Sequence, residues 1–252
     1  MGLFDLFKAK SDKGKPGTEP AAVGDKNVAR LGKVAGDKHA QNYDRIEAID
    51  ALAKVGTGEA AAALLKRFTF HIDPSITDQE EKEAAIRGVL AAGEAAIEPI
   101  RTFCLRAESL TWALKILKDL VPSDRYVEEL IRLLERFDTE YTRNVDPKQQ
   151  LIAELEHYNA PAVRPAVERF LEDSSEAIRF VAVATVFAQE DPASVTPLAK
   201  TLATEESVRV KNRLVEGLVA RGWAIPEDQR DAVRAEIPAG YAIDPQGKVK
   251  RR

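Results

Sequence analysis

The stretch VRPAVERFL, residues 163–171, has the apolar spacing of an amphipathic helix and carries a proline at its third position. The stretches IEPIRTF from residue 97 and VTPLAKTL from residue 195 have the same arrangement. Proline disrupts a helix interior, but in the first turn its missing N–H would have had no intrahelical acceptor. The sequence therefore predicts that each proline lies in the first turn of a helix.

A second helix is predicted upstream of each proline, and it opens with a basic residue. The two residues are 17 or 18 positions apart in the pairs Lys82 and Pro99, Lys148 and Pro165, and Arg179 and Pro197. Apolar or small residues follow each basic residue at helical spacing. The segments from Arg45 and Lys211 have the same pattern, and the segment from Leu110 has the apolar stripe without the basic residue.

These six segments predict an all-α chain: a right-handed α-solenoid of about six helical hairpins. The segments start 28 to 38 residues apart. The chain resembles the HEAT-repeat family, including bacterial HEAT repeats of the phycobilisome-lyase-like type, in RIEAIDALAKVG, in IRFVAVATV followed by SVTPLAKTL, and in VRVKNRLVEGL. The resemblance covers about residues 42–237. It implies helical hairpins for the fold and, for most HEAT proteins, a role as scaffold or adaptor.

The domain organisation is predicted as a leader, a repeat region and a tail. Residues 1–24 form a flexible leader, because AKSDKGKPGTEPAAVG has almost nothing to bury. The repeat region spans residues 25–240, and a helix within residues 25–41 caps its first unit. Residues 241–252 form a basic tail whose Asp-Pro-Gln-Gly tetrad favours a β-turn, so that a terminal hairpin and a loose tail both remain open.

The first residues, MGLFDLFK, combine Leu3, Phe4, Leu6 and Phe7 with the lysines that follow. They predict a docking peptide that enters a membrane interface or the groove of a partner, so a peripheral membrane contact would involve residues 1–15. Two alternatives remain open: the peptide folds back on the repeats, or it is disordered.

Charge and composition favour a cytoplasmic protein, with a place at the inner face of a membrane left open. Residues 42–247 carry a net charge of −11 and both ends are basic, which disfavours nucleic acid as a partner of the repeats. The chain has one cysteine, Cys104, and neither a secretory signal nor an apolar run of membrane-spanning length.

Two loops, residues 68–78 and 138–147, are longer than the repeats require and contain aromatic and polar residues. They predict a partner-binding edge, although Phe68, Phe70 and Tyr141 also fit a role in the core. The predicted docking area comprises these loops and the concave surface of the helices that contain the prolines. The candidate partner-binding residues are Trp112, Tyr141, Arg143, Asn144 and Arg179. For Arg179 the alternative is that it braces its own repeat.

The sequence predicts no catalytic, metal or cofactor residues. His39, His71 and His157 are scattered, and no phosphate loop or nucleophile motif occurs. The acid pairs Glu80-Glu81, Glu128-Glu129 and Glu205-Glu206 are interpreted as charged helix faces and first-turn acids. The predicted function is a non-enzymatic interaction scaffold; the alternatives are a bilin lyase or isomerase and a DNA-binding protein or DNA glycosylase of HEAT-like type.

Overall fold

A computed structural model describes residues 24–252, and helices dominate this part of the chain. The predicted docking peptide with Leu3, Phe4, Leu6 and Phe7 lies outside the described residues. The 13 α-helices of the described residues are Asp25–Ala35 (α1), Asn42–Ala53 (α2), Gly58–Leu65 (α3), Ser75–Ala91 (α4), Ile97–Cys104 (α5), Thr111–Leu120 (α6), Ser123–Leu134 (α7), Asp146–Leu155 (α8), Val163–Glu168 (α9), Glu176–Ala188 (α10), Val195–Thr204 (α11), Val208–Arg221 (α12) and Arg230–Glu236 (α13).

After α1 the helices follow one another as six pairs, in which we call the first helix A and the second helix B. Helix A of one pair packs against helix A of the next in α2 with α4, α8 with α10, and α10 with α12. Helix B packs against helix B in α3 with α5, α7 with α9, and α11 with α13. Helix α1 packs against both α2 and α3.

The prolines lie where the sequence predicts them. Pro99, Pro165 and Pro197 are each the third residue of a helix B, in α5, α9 and α11 respectively. At this position a backbone N–H would have no intrahelical acceptor, so proline loses no helical hydrogen bond. The apolar residues around each proline, such as Ile97 and Ile100 in α5, are buried.

The five helices A for which the sequence marks a basic opening residue all begin before that residue. Helix α4 begins at Ser75, directly after Pro74, so Lys82 lies in its middle and the loop predicted over residues 68–78 is shorter. Helix α8 similarly begins at Asp146, within the loop predicted over residues 138–147. Proline fits the position before a helix because it disfavours helical backbone in the residue that precedes it.

The C-terminal residues form a two-stranded antiparallel sheet of Tyr241–Ile243 (β1) and Val249–Arg251 (β2). The turn closes as the N–H of Gly247 donates to the carbonyl of Asp244 at 2.9 Å. Gly247 has a φ of 85°, a region that favours glycine. Val249 is buried, so the sheet is packed against the end of the helical region.

Within residues 24–252, no helix combines the length and the apolar character needed to cross a membrane.

Candidate docking surface

A groove lies between two consecutive B helices, α3 and α5, and we call it the α3–α5 groove. Its volume is about 840 Å³, which lies within the range of about 300–1,000 Å³ typical of ligand pockets. The apolar part of its lining consists of Ala62, Leu65, Ala95, Pro99, Phe103 and Ala107. The groove is open to solvent, since Ala62 and Ala95 are exposed.

Charge of opposite sign borders the two ends of the α3–α5 groove. Glu59 and Glu98 are the second residues of α3 and α5, so they mark the end at the helix N-termini. Lys66 and Arg106 follow the C-termini of the same helices and mark the other end. The surface therefore suits an apolar segment that is basic at one end.

Small residues let the two helices approach closely enough to form the floor of the groove. A β-carbon at Gly58 would lie 2.8 Å from the carbonyl oxygen of Ala95, a distance at which backbone would have to move. The sequence predicts docking on the surface of the B helices but points to none of these residues. The signal was GEAAAALL, in which Ala62 stands where a solvated helix face normally carries charge.

The predicted candidates lie along the edge where B helices end and A helices begin. Trp112 is half-buried and stacks on Phe68, with ring centroids 5.8 Å apart. The ammonium groups of Lys82 and Lys115 each lie 5.6 Å from the Trp112 ring centroid. The structure thus brings Trp112 together with the aromatic start of the loop at 68–78, and part of its face is already covered.

Tyr141 and Arg143 project from an anchored loop. The Tyr141 residue is 82% exposed, and Arg143 is exposed as well. The side-chain amide of Asn144 donates to the carbonyl of Glu108 at 2.9 Å, which ties this loop to the segment before Trp112. Exposed aromatic and arginine side chains on a fixed backbone are typical of contact surfaces.

Arg179 is engaged within the protein. Its guanidinium donates to both carboxylate oxygens of Glu205, at 2.7 and 2.8 Å, and to the carbonyl of Asp173 at 2.9 Å. This geometry corresponds to the bracing role that the sequence left open for Arg179. Ser174, beside Asp173, donates its N–H to the carbonyl of Thr139 in the Tyr141 loop, so Arg179 remains on the same edge.

The interpretation of the acid pairs as solvated faces is wrong for one member of each. Glu81, Glu129 and Glu205 are buried. Each receives two hydrogen bonds from one arginine: Arg45, Arg101 and Arg179 respectively. Burial of a carboxylate requires such a partner, because an uncompensated charge in the interior is costly.

The largest of these networks joins the first two helix pairs. Glu81 of α4 accepts from both Arg45 of α2 and Arg67, which follows α3. Arg67 also donates to Asp78 at 2.7 Å, and Lys82 donates to the second oxygen of Asp78 at 2.6 Å. All five residues are buried. The sequence marked Arg45 and Lys82 as helix-opening residues but did not indicate that Glu81 and Asp78 are their partners.

The hydrogen bonds outweigh burial in setting the protonation of these carboxyls. Burial by itself would raise the pKa of Asp78, but hydrogen bonds from Lys82 and Arg67 hold it well below its ordinary range. Arg101 lowers the pKa of Glu129. For Glu205, the bonds from Arg179 likewise outweigh burial and lower the pKa. The carboxylates are thus charged at neutral pH and serve to join helices.

Two further observations concern nucleophilic and metal chemistry. Burial raises the pKa of the Cys104 thiol to about 12, which keeps it protonated and weakly nucleophilic. Among residues 24–252, no three His, Cys, Asp or Glu side chains come together in a way that would hold a metal ion.

No protein-family model matches this chain, and no curated protein matches it either.

Proposed function

We propose that the protein is a non-enzymatic interaction scaffold, built as a right-handed α-solenoid of HEAT-like hairpins. The packing of A helices on A helices and B helices on B helices supports the solenoid, since repeat units of this kind contact their neighbours in sequence. The observation that carries the scaffold role is the open, apolar α3–α5 groove. A large apolar surface on a helical protein is the feature that partner segments recognise.

The edge with Trp112, Tyr141 and Arg143 provides a second contact area. Tyr141 and Arg143 are exposed on a loop whose backbone is held by Asn144 and Thr139. Fixing a loop before binding reduces the entropy lost on association. We place the protein in the cytoplasm, with residues 1–15 as a tether to a membrane or to a second partner.

The test compares affinity purification with the wild type, Ala62→Arg and Ala232→Arg, followed by mass spectrometry. Ala232 is an exposed alanine of another B helix, α13, and therefore serves as a matched control. We expect one or more proteins to be recovered with the wild type and Ala232→Arg and lost with Ala62→Arg. Recovery that is the same for all three chains would contradict docking in the groove.

The edge has its own test. We expect Tyr141→Ala combined with Arg143→Ala to weaken capture of a partner without lowering the melting temperature, since both side chains are exposed.

Bound tetrapyrrole absorbance on co-expression would instead support the lyase alternative, and salt-sensitive DNA binding would support the glycosylase alternative. Flotation with liposomes, with and without residues 2–8, tests the membrane tether; equal flotation would remove it.

A further inference from the structure

The α3–α5 groove has the shape and polarity to bind a short apolar segment that carries positive charge at one end. Its floor is apolar at Ala62, Pro99 and Phe103, and its end at the helix N-termini is bordered by Glu59 and Glu98. The Glu98 side chain is 75% exposed even though it also accepts a hydrogen bond from Arg101. A basic group at this end would meet accessible carboxylates.

The N-terminal sequence of the chain has the complementary pattern. Leu3, Phe4, Leu6 and Phe7 are spaced so that a helix would place them on one side, and Lys8 and Lys10 follow directly. An amphipathic helix that lays its apolar side into a groove is a recurring mode of peptide recognition. In such a complex the lysines of this segment would lie at the end of the groove that Glu59 and Glu98 border.

The direction of the chain agrees with this orientation. A β-carbon at Gly32 of α1 would lie 2.8 Å from the Ala63 β-carbon, and one at Gly36 would lie 3.0 Å from the Lys66 β-carbon. These two contacts show that α1 runs parallel to α3, so Gly24, before α1, is on the side of the α3 N-terminus. Residues that leave the groove at its acidic end therefore leave it on the side where the described chain begins.

The chain that precedes Gly24 is long enough for the N-terminal segment to reach the α3–α5 groove. The 13 residues from 11 to 23 connect the bound segment to Gly24, and a random coil of that length spans roughly 18–22 Å on average. Helix α3 packs against both α1 and α5, and packed helices are about 8–10 Å apart, so the groove lies within about 20 Å of α1. A tether of this kind gives an effective concentration on the order of millimolar, so weak docking suffices.

We infer that the α3–α5 groove binds residues 3–10 of its own chain, and that a protein partner must displace this segment to dock. The inference rests on the proposed function, because it takes the groove as the docking surface. It adds a regulatory step: the segment covers the apolar groove, and it becomes available as a tether only after a partner has displaced it. The acidic end of the groove and the lysines after Phe7 determine the orientation.

The experiment places a photoactivatable benzoylphenylalanine at position 4 of the full-length chain and maps the cross-links by mass spectrometry. We expect intramolecular cross-links to the peptides that contain Ala62 and Phe103. Ala62→Arg should lower their yield about tenfold, the change that a loss of about 1.4 kcal/mol in docking produces, and Ala232→Arg should leave it unchanged. Thr102→Arg, at an exposed position that lines the groove, is the second variant if Ala62→Arg fails to fold.

Other outcomes overturn the inference. Cross-links to another surface, or a yield that neither groove variant lowers, would show that the segment does not occupy the groove. A mixture of isotopically labelled and unlabelled chains distinguishes docking within one chain from docking between two copies, and cross-links between copies would contradict the first. These results are independent of the proposed function, which fails only if partner capture is insensitive to Ala62→Arg.

A second measurement tests whether the N-terminal segment and a partner compete for the groove. Replacing Phe4 and Phe7 by serine should open the groove, so we expect increased partner capture and faster hydrogen exchange in α5. Capture that falls in this variant would show that the segment promotes docking and would contradict competition.

Discussion

Neighbouring A helices are connected in two different ways. Helices α2 and α4 pack directly against each other, whereas α6 and α8 are separated and joined by side chains. At the α2–α4 junction, a β-carbon on Gly88 would lie 2.8 Å from the Ala53 β-carbon, and Arg45 reaches Glu81 across the contact. Helix α6, by contrast, does not pack closely along α8. The two helices are bridged by long side chains, with Gln150 donating to Ser109 and Thr111.

The difference follows the helix pair that lacks the basic residue. Leu110 stands where Arg45, Lys148 and Arg179 stand in other helix pairs, and those three are paired with Glu81, Asp173 and Glu205. At Leu110 the backbone N–H instead donates to the side-chain oxygen of Gln150 at 2.6 Å. A cavity of about 410 Å³, lined in part by Thr111, Gln150 and Glu154, remains beside this bridge. At the α2–α4 junction, by contrast, the helices pack closely, and that junction has both small residues and a paired buried charge.

Glu81→Gln should have the largest effect, because it removes the carboxylate shared by Arg45 and Arg67. Breaking a buried ion pair costs about 3–5 kcal/mol, since the remaining charges stay buried. Urea denaturation followed by circular dichroism measures the loss. Glu80→Gln is the matched control: Glu80 is exposed, and we expect a change within about 0.5 kcal/mol. A loss below about 1 kcal/mol for Glu81→Gln would contradict the role given to this network.

Acid should weaken the same junction more gradually. The pKa of Asp78 is lowered in the folded protein, so as the pH falls the unfolded chain binds protons first and the free energy of unfolding decreases. The contribution is complete above the ordinary pKa of 3.8 and is lost progressively below it. Glu129 and Glu205 add the same trend below their ordinary value of 4.5.

The measurement is the urea midpoint between pH 7 and pH 2.5. Asp78→Asn should be less stable at neutral pH and show a smaller decrease in acid. A midpoint that stays constant or rises below pH 4 would count against the lowered pKa values.

Gly88→Ala should destabilise the protein by about 1–3 kcal/mol, because the added carbon would meet Ala53 and Leu64. In an exposed helix the same substitution would be favourable by about 1 kcal/mol. Ala153→Leu, which adds volume beside the cavity at α8, should stay within about 0.5 kcal/mol. Thermal melting of the two variants makes the comparison, and equal losses would show that both junctions are equally close-packed.

Gln150→Ala should destabilise the protein by about 1 kcal/mol, less than the Glu81 and Gly88 substitutions, because it removes the acceptor of the Leu110 N–H. Hydrogen exchange at the Leu110 amide should become faster. Gln149→Ala provides the neighbouring control. Unchanged exchange at Leu110 would mean that the bridge from Gln150 does not hold this end of α6.

The helices and the turn were predictable because their signals are local. Pro99, Pro165 and Pro197 marked the starts of helices B, and the Asp-Pro-Gln-Gly tetrad marked the turn between β1 and β2. The exact starts of the A helices were less predictable. The pattern predicts that Lys82 opens its helix, but α4 begins at Ser75, because a basic residue on an apolar stripe has no fixed distance from the helix start.

The candidate site was predictable only in outline. The sequence indicated the surface of the B helices and exposed residues such as Tyr141, but not the α3–α5 groove. Ala62 and Ala95 have no distinguishing chemistry, and they line a groove only because α3 and α5 lie side by side. Arg179 had two interpretations, and its contact with Glu205 depends on the packing of consecutive pairs.

The sequence alone determined the helical class, the proline-marked B helices and the C-terminal turn, since backbone preferences and side-chain period act within a few residues. The tertiary structure decided which glutamate of each acid pair is buried, where the groove opens and where the cavity beside α8 remains. Glu81, Glu129 and Glu205 lie 36, 28 and 26 residues from their arginines. Over such separations, ion-pair partners are selected by which helices come into contact, and no local pattern encodes that.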